Sequence, residues 1–361
     1  VFMRDCLEFV FFNDTATTEI YTVHLKSMHP DRAMTRPYRR AEALAVTMAG
    51  SRAIAVAGTH GKTTTTSMIT IILQHAGLDP SFVIGGEISE AGSNAHHGSG
   101  EYFVAEADES DRSFLLYRPH VGLVTNLDSD HLNTYGDLAG LEDAFVEFCA
   151  NVEADGFVIA CADDPATGRM IERAVAAGAT VFTYGEAEGA DLRISGIRSS
   201  AAGVTYQASL DGQPLGEVTL PVPGRHLGLN AAGALLTALR LGVKPEVAIE
   251  GLAAFPGVRR RFERKGTAGG VRVYDEYAYH PTSMTAALQT LREVAGDGIT
   301  LNTVATGKIA TDRLAKLSGS LEAAAEMARE QVPAGRLGTP EEYGDLVAFL
   351  CSERAAYVTG T

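Results

Sequence analysis

Short apolar runs alternate with longer amphipathic stretches through the middle of the chain. Ala53 to Ala57 (AIAVA) is continuously apolar and predicts a buried strand. From Lys62 to His75, Met68, Ile72 and Ala76 recur at four-residue spacing while Ile69 and Leu73 widen the stripe, which predicts a helix that Gly77 stops. Further strands are expected in YFVAEA ending at Ala107, VGLVT ending at Thr125, FVIAC ending at Cys161 and TVFTY ending at Tyr184. Helical patterns near Glu142 to Cys149 and Pro165 to Ala177 separate them, the alternation of crossover units over a mainly parallel sheet. Asp191 to Pro221 then changes to alternating strands joined by glycine-containing turns, with SLDGQP as a hairpin signal. A helix is expected from about Leu229 to Leu241, and RAEALAVTMAG from Arg40 offers a shorter one before the first strand. A second domain is expected to begin near Val243 to Glu250, with a strand in GVRVYDEY and a helix from Thr282 to Ala295. After about Gly298 the pattern changes again, to a loop, a helix in LEAAAEMARE, a helix start at GTPEE and a terminal VTGT. The fold class expected is α/β.

The 361 residues are enough for two to three domains at about 150 residues each. Lys plus Arg number 30 against 45 Asp plus Glu, and the formal charge of −15 speaks against general binding to nucleic-acid backbones. Cys6, Cys149, Cys161 and Cys351 lie far apart without a C-x-x-C spacing, so a disulfide scaffold or thiolate zinc site is not expected. Cys149 and Cys161 are read as core residues. No run approaches the ~20 apolar residues of a membrane span, and a cytoplasmic location is expected.

The strongest chemical signal is Gly58-Thr59-His60-Gly61-Lys62-Thr63-Thr64, set between the first strand and its helix. It is shorter than the usual G-x-x-x-x-G-K-[ST] loop but keeps its physics. Glycines admit phosphate oxygens close to the backbone, the helix N-terminus offers N–H groups, and Lys62 adds a mobile positive charge. Thr63 can place its hydroxyl on a magnesium ion bridging nucleotide phosphates, so a nucleoside triphosphate with Mg2+ is the expected ligand. The run Glu106-Ala107-Asp108-Glu109-Ser110-Asp111 at a strand end is a candidate for metal coordination, although a solvated acidic loop would read the same way. His131, after Asp128 and Asp130 at another strand end, is a further candidate. Three strand-end groups could meet at one metal.

GTHGKTTT, EADESD, TNLDSDHLNTYG, PGRHLGLNA, FPGVRRRFE and DEYAYHP together resemble the Mur ligase family in order and approximate spacing, over roughly residues 40 to 298. The resemblance is nearest to the branch that joins L-alanine to UDP-N-acetylmuramate in peptidoglycan synthesis. It implies a central P-loop ATPase domain with a mainly parallel sheet over 40–242, followed by a truncated α/β C-terminal domain over 243–298. It further implies catalytic roles for Lys62, Glu106, His131 and Arg261, with Thr63, Glu106 and His131 as the metal ligands. Gly58, Thr59, His60, Gly61, Lys62, Thr63, Thr64, Asn230, Asp275 and Glu276 would then hold the nucleotide. Leu227 stands where many relatives carry a second asparagine, Glu276 where they usually carry aspartate, and His280 belongs to the family-like YHP turn. The implied reaction forms an acyl phosphate from ATP and then an amide, with UDP-N-acetylmuramate and L-alanine as substrates.

Both ends depart from that pattern. Residues 1–39 read as a leader and contain no glycine-rich loop for a UDP group; within them FFNDTATTEIYT, 12 residues, resembles a translated sequencing adapter. The family's N-terminal UDP-sugar domain is therefore expected to be missing, and with it tight UDP-sugar binding. Residues 299–361 resemble the C-terminal part of a short-chain dehydrogenase/reductase, so the chain reads as chimeric. Oxidoreductase activity is not expected, because that family's glycine loop and Tyr-Lys pair lie upstream of such a segment, and Tyr343 and Tyr357 are no substitute. The alternative to an impaired ligase is an inactive ATP-binding fragment or interaction module.

Overall fold

The computed structural model describes residues 40–86, 94–268, 271–278, 280–295, 304, 307–355 and 357–358. The leader expected over 1–39 and the junction expected near Gly298 lie outside the described residues. The chain divides into a larger compact unit, Tyr38–Ala295, and a smaller one whose described residues fall between 304 and 358.

The larger unit is built on a 10-stranded sheet. Its helices and strands begin with α1 (Arg40–Met48), β1 (Arg52–Ala57), α2 (Lys62–His75), β2 (Ser81–Val83), β3 (Ala95–His96), β4 (Tyr102–Glu106) and β5 (Val121–Val124). They continue with α3 (Leu132–Tyr135), α4 (Leu138–Ala150), β6 (Phe157–Cys161), α5 (Pro165–Ala176) and β7 (Val181–Gly185). The antiparallel part is β8 (Leu192–Ser200), β9 (Gly203–Leu210) and β10 (Gln213–Leu220), followed by α6 (Arg225–Arg240) and α7 (Pro245–Ala253). A separate hairpin of β11 (Glu263–Ala268) and β12 (Val271–Asp275) precedes α8 (Pro281–Ala295).

Strand order in the sheet is β10-β9-β8-β7-β6-β5-β1-β4-β2-β3. The pairs from β2 through β8 run parallel, while β8, β9 and β10 pair antiparallel, as their alternating sequence predicts. β1 sits between β4 and β5, with Val56 level with Glu106 and Ala57 level with Val124. The C-terminal ends of these strands meet where the chain changes direction across the sheet, the place where open α/β sheets form a ligand crevice.

The helix α2 is more deeply buried than an amphipathic stripe predicts. Met68, Ile69, Ile72 and Leu73 are fully buried, and so are Thr65, Thr66, Ser67 and Thr70. The hydroxyls of Thr66, Ser67 and Thr70 donate to the carbonyls of Lys62, Thr63 and Thr66 at 2.8–2.9 Å, which satisfies these three of its buried hydroxyls. Each of its large apolar side chains contributes about 1.5–3 kcal/mol by burial. Neighbouring α6 approaches the sheet through small residues: a Cβ at Gly233 would lie 2.8 Å from the Tyr184 ring. This helix begins at Arg225, four residues before the expected start, because Gly224, at φ 121°, turns the chain into it. Packing continues past 243, with Ala248, Leu252, Phe255 and Val258 in the same core as α2. Cys149 and Cys161 are buried, and burial pushes both thiols up to about 12, as inert core residues require.

Burial also pulls the His226 imidazole, on the first turn of α6, down to about 4. The unfolded chain takes up this proton near pH 6.5, so the associated stability is present above that pH and is lost as pH falls toward 4. His226→Gln is expected to gain on the parent by about 1–2 kcal/mol between pH 7.5 and 5. Urea unfolding at the two pH values measures this, and a pH-independent difference would contradict it.

In the smaller unit, α9 (Asp312–Ser318), α10 (Leu321–Gln331) and α11 (Pro340–Leu350) follow one another. The expected start at GTPEE is a capping box: Glu342 N–H donates to Thr339 Oγ1 at 3.2 Å and Thr339 N–H to Glu342 Oε2 at 2.9 Å. Leu346, Val347 and Phe349 of α11 remain exposed.

Candidate functional site

The site is assembled from the segments that follow β1, β4 and β5. Gly58 and Gly61 adopt φ values of 121° and 86°, and the loop between them folds against the β5 end. Thr125 Oγ1 donates to the His60 carbonyl at 2.6 Å, Asn126 Nδ2 donates to the same carbonyl at 3.0 Å, and His60 N–H donates to Asn126 Oδ1 at 2.9 Å. Thr59 N–H donates to the Asn126 carbonyl at 3.0 Å. A Cβ at Gly61 would lie 2.6 Å from Asn230 Oδ1, so the buried Asn230 of α6 sits against the loop. Thr64, buried on the first turn of α2, faces inward.

Lys62 folds back over its own loop. Its Nζ donates to the Gly58 carbonyl at 2.7 Å and to both carboxylate oxygens of Glu109 at 2.8 Å. Glu109 is 1 % exposed, and burial pushes its carboxyl upward against the opposing pull of Lys62. The sequence signal for Glu109 was its place in EADESD, but spacing alone did not distinguish it from its acidic neighbours.

Glu106 caps the other side. Its carboxylate accepts from Gly85 N–H at 2.6 Å and from Thr63 Oγ1 at 3.2 Å. Burial raises its pKa; the Gly85 hydrogen bond, Lys62, Thr63 and Arg261 act in the opposite direction. Arg261 arrives from far along the chain: its Nη2 donates to Thr63 Oγ1 at 3.4 Å, and its guanidinium lies 5.5 Å from the Tyr277 ring centroid. The role of Gly85 was not legible, since IGGE resembles any glycine turn.

Thr63, Glu106, Lys62 and Arg261 are thus brought together. His131 is the N-cap residue of α3 in a left-handed conformation, with Nε2 3.7 Å from Asp130 Oδ2. Among the described residues, no hydrogen bond or ion pair joins it to Thr63 or Glu106. Glu276 accepts from Phe262 N–H at 2.7 Å and so braces the turn after Arg261. Burial raises its pKa, opposed first by Arg261. Asp275 ends β12 opposite Glu263.

Hard oxygen donors from Thr63 and Glu106, next to two cations and a loop whose glycines have no room for a side chain, suit a polyphosphate and a small divalent ion. The model of the Mur ligase middle domain matches residues 56–238. The chain belongs to the Mur ligase family. Within that family it is 62 % identical over 275 residues to the UDP-N-acetylmuramate--L-alanine ligase of Salinispora arenicola, covering 76 % of this chain and 54 % of that one. The corresponding ligase of Salinispora tropica is 61 % identical over the same length and shares of chain. This Mur ligase chain spans about half the length of the curated relatives it matches. Among solved structures it is similar to the UDP-N-acetylmuramate-alanine ligase of Thermotoga maritima, with a TM-score of 0.60 and 30 % identity, covering 69 % of this chain and 55 % of that one. A second family model, described as enoyl-(acyl carrier protein) reductase, matches residues 267–361 and so begins inside the segment with Mur ligase motifs. Among the described residues, no helix is long and apolar enough to cross a membrane.

Proposed function

We propose that this chain carries the ATP-binding machinery of a cytoplasmic ligase that joins L-alanine to UDP-N-acetylmuramate in peptidoglycan synthesis. The observation that carries the reading is the convergence of Lys62, Thr63, Glu106 and Arg261 on one glycine loop. The identity to ligases with these named substrates supports the same reaction. Thr63 and Glu106 would hold Mg2+, with His131 as a further donor from the β5 loop. The ion, when bound, neutralises charge on the phosphates.

Gly58, Thr59, His60, Gly61 and Thr64 would shape the phosphate cradle, with Asn230 against its floor. Asp275 is the acidic group left for the nucleotide, since Glu276 is engaged by Phe262. The muramyl carboxylate attacks the γ-phosphorus of ATP, the bond to the β-phosphate oxygen breaks, and ADP leaves. Lys62 and Arg261 hold the charge spread over the transferring group. The amine of L-alanine then attacks the acyl carbon, inorganic phosphate departs, and the ammonium proton passes to solvent. Residues 40–242 and 243–298 would be the central and truncated C-terminal domains, with 299–361 a distinct tail.

A second reading, a nucleotide-binding module without turnover, is favoured by the Lys62–Glu109 pair, which already engages the phosphate-binding amine. Phosphate release measured with ATP, Mg2+ and UDP-N-acetylmuramate, with and without L-alanine, separates them. The ligase reading expects release that depends on both substrates. ATP binding without such release would overturn it in favour of the module.

A further inference from the structure

We propose that His60, Asp128 and His280 form a binding site for a zinc-class divalent ion, separate from the magnesium group of Thr63 and Glu106. His60 belongs to the glycine loop, Asp128 to the loop after β5 and His280 to the turn before α8, so the ion would tie three separate segments of the larger unit together. His60 Nε2 lies 3.2 Å from Asp128 Oδ2 and His280 Nδ1 lies 3.6 Å from the same oxygen. All three ligand atoms lie within 4.8 Å of one another. Bonds of about 2.0–2.1 Å to a tetrahedral ion place ligand atoms about 3.3–3.4 Å apart, which the two short edges bracket.

The surroundings orient the donors. Ser283 Oγ lies 3.1 Å from His60 Nδ1 and fixes the ring so that Nε2 faces Asp128. Asp128 Oδ1 accepts from Ser129 N–H at 2.7 Å, while Thr282 Oγ1 donates to Oδ2 at 2.5 Å. The side chains of His60, Asp128 and His280 are 20 %, 31 % and 16 % exposed, so the group is partly open to solvent. Two imidazole nitrogens favour zinc-class ions over magnesium, which prefers oxygen.

A second cluster in the molecule shows the contrast. His120 lies 3.4 Å from Glu153 and 3.9 Å from Asp155, but Arg52 Nη2 stands 2.6 Å from its other ring nitrogen. The guanidinium supplies the positive charge there, and the carboxylates are on the surface.

Zinc alone, titrated into the full chain against a chromophoric chelator, tests the site. One equivalent is expected to bind, and Asp128→Asn and His280→Gln are each expected to weaken it by about tenfold or more. Cobalt in place of zinc is expected to show the intense visible bands of a tetrahedral site in the parent and to lose them in both variants. Asp155→Asn, in the other cluster, is expected to leave both readouts unchanged. Equal zinc affinity in the parent and both site variants, or an octahedral cobalt spectrum in the parent, would overturn the proposal.

Discussion

Lys62→Ala is expected to lower ATP affinity by about 100-fold, or about 2.7 kcal/mol, because it removes the charge-assisted contact to the phosphates. The same substitution is expected to weaken the fold, for a reason unrelated to ATP. Glu109 is 1 % exposed and both its oxygens are paired with Lys62 Nζ, so the variant strands a buried carboxylate. Breaking a buried pair from one side costs about 3–5 kcal/mol, less whatever is recovered when the orphaned group takes up a proton. Burial already pushes the Glu109 carboxyl upward, which makes that uptake the natural relaxation.

Adding Glu109→Gln to Lys62→Ala should therefore restore much of the stability and none of the ATP affinity. Glu109→Gln alone should bind ATP at least as tightly as the parent, since the phosphates no longer compete with a carboxylate for the amine. Calorimetric titration with ATP and urea unfolding on the three variants separate the two effects. Equal ATP affinity in the parent and Lys62→Ala would remove Lys62 from the phosphate site.

Gly58→Ala is expected to destabilise the larger unit by about 3 kcal/mol and to abolish measurable ATP binding. Two costs combine at this position. The backbone has φ 121°, which side chains rarely adopt, and the new methyl group would lie 2.1 Å from Thr125 Oγ1 and 2.9 Å from the Thr125 backbone nitrogen. Relief would require pushing the loop off the β5 end and breaking the hydrogen bonds that Thr125 and Asn126 make to His60. Gly212→Ala is the control: it also has positive φ, 78°, but a methyl group there meets nothing within 4 Å. Its expected cost is about 1 kcal/mol with ATP binding unchanged. Urea unfolding of the two variants gives the comparison, and equal losses would show that loop packing at Gly58 contributes nothing beyond backbone strain.

These expectations rest on features of different legibility. β1, the glycine loop and α2 were readable because each signal is local: an apolar run, glycines ahead of Lys62-Thr63, and a four-residue repeat from Met68. The strand ends came out within a residue of expectation for Glu106, Val124, Cys161 and Gly185. The helix α7 was not expected as such, and its residues Ala248 and Leu252 share the α2 core across the expected domain change at 243. A composition shift does not report whether packing stops.

Among the site residues, Lys62 and Thr63 were named from the glycine loop and Glu106 from the acidic run through family resemblance, and the register of β1 against β4 brings them together. His131 was named with them as a further metal donor; in the structure it is the N-cap residue of α3, with Nε2 3.7 Å from Asp130 Oδ2. Arg261 was named through family resemblance; no local pattern connects it to Thr63, 198 residues away.

By itself the sequence determined the α/β class, the crossover units and the glycine loop, since backbone propensity and short-range periodicity specify them within a few turns of chain. Only the tertiary structure decided that Lys62 is held by Glu109 and not by its acidic neighbours, that Gly85 reaches Glu106, and that His60, Asp128 and His280 share one carboxylate oxygen. Those partnerships depend on strand order and on the path of loops between strands. Chain segments that are distant in sequence meet there, and burial then sets the strength of each charge.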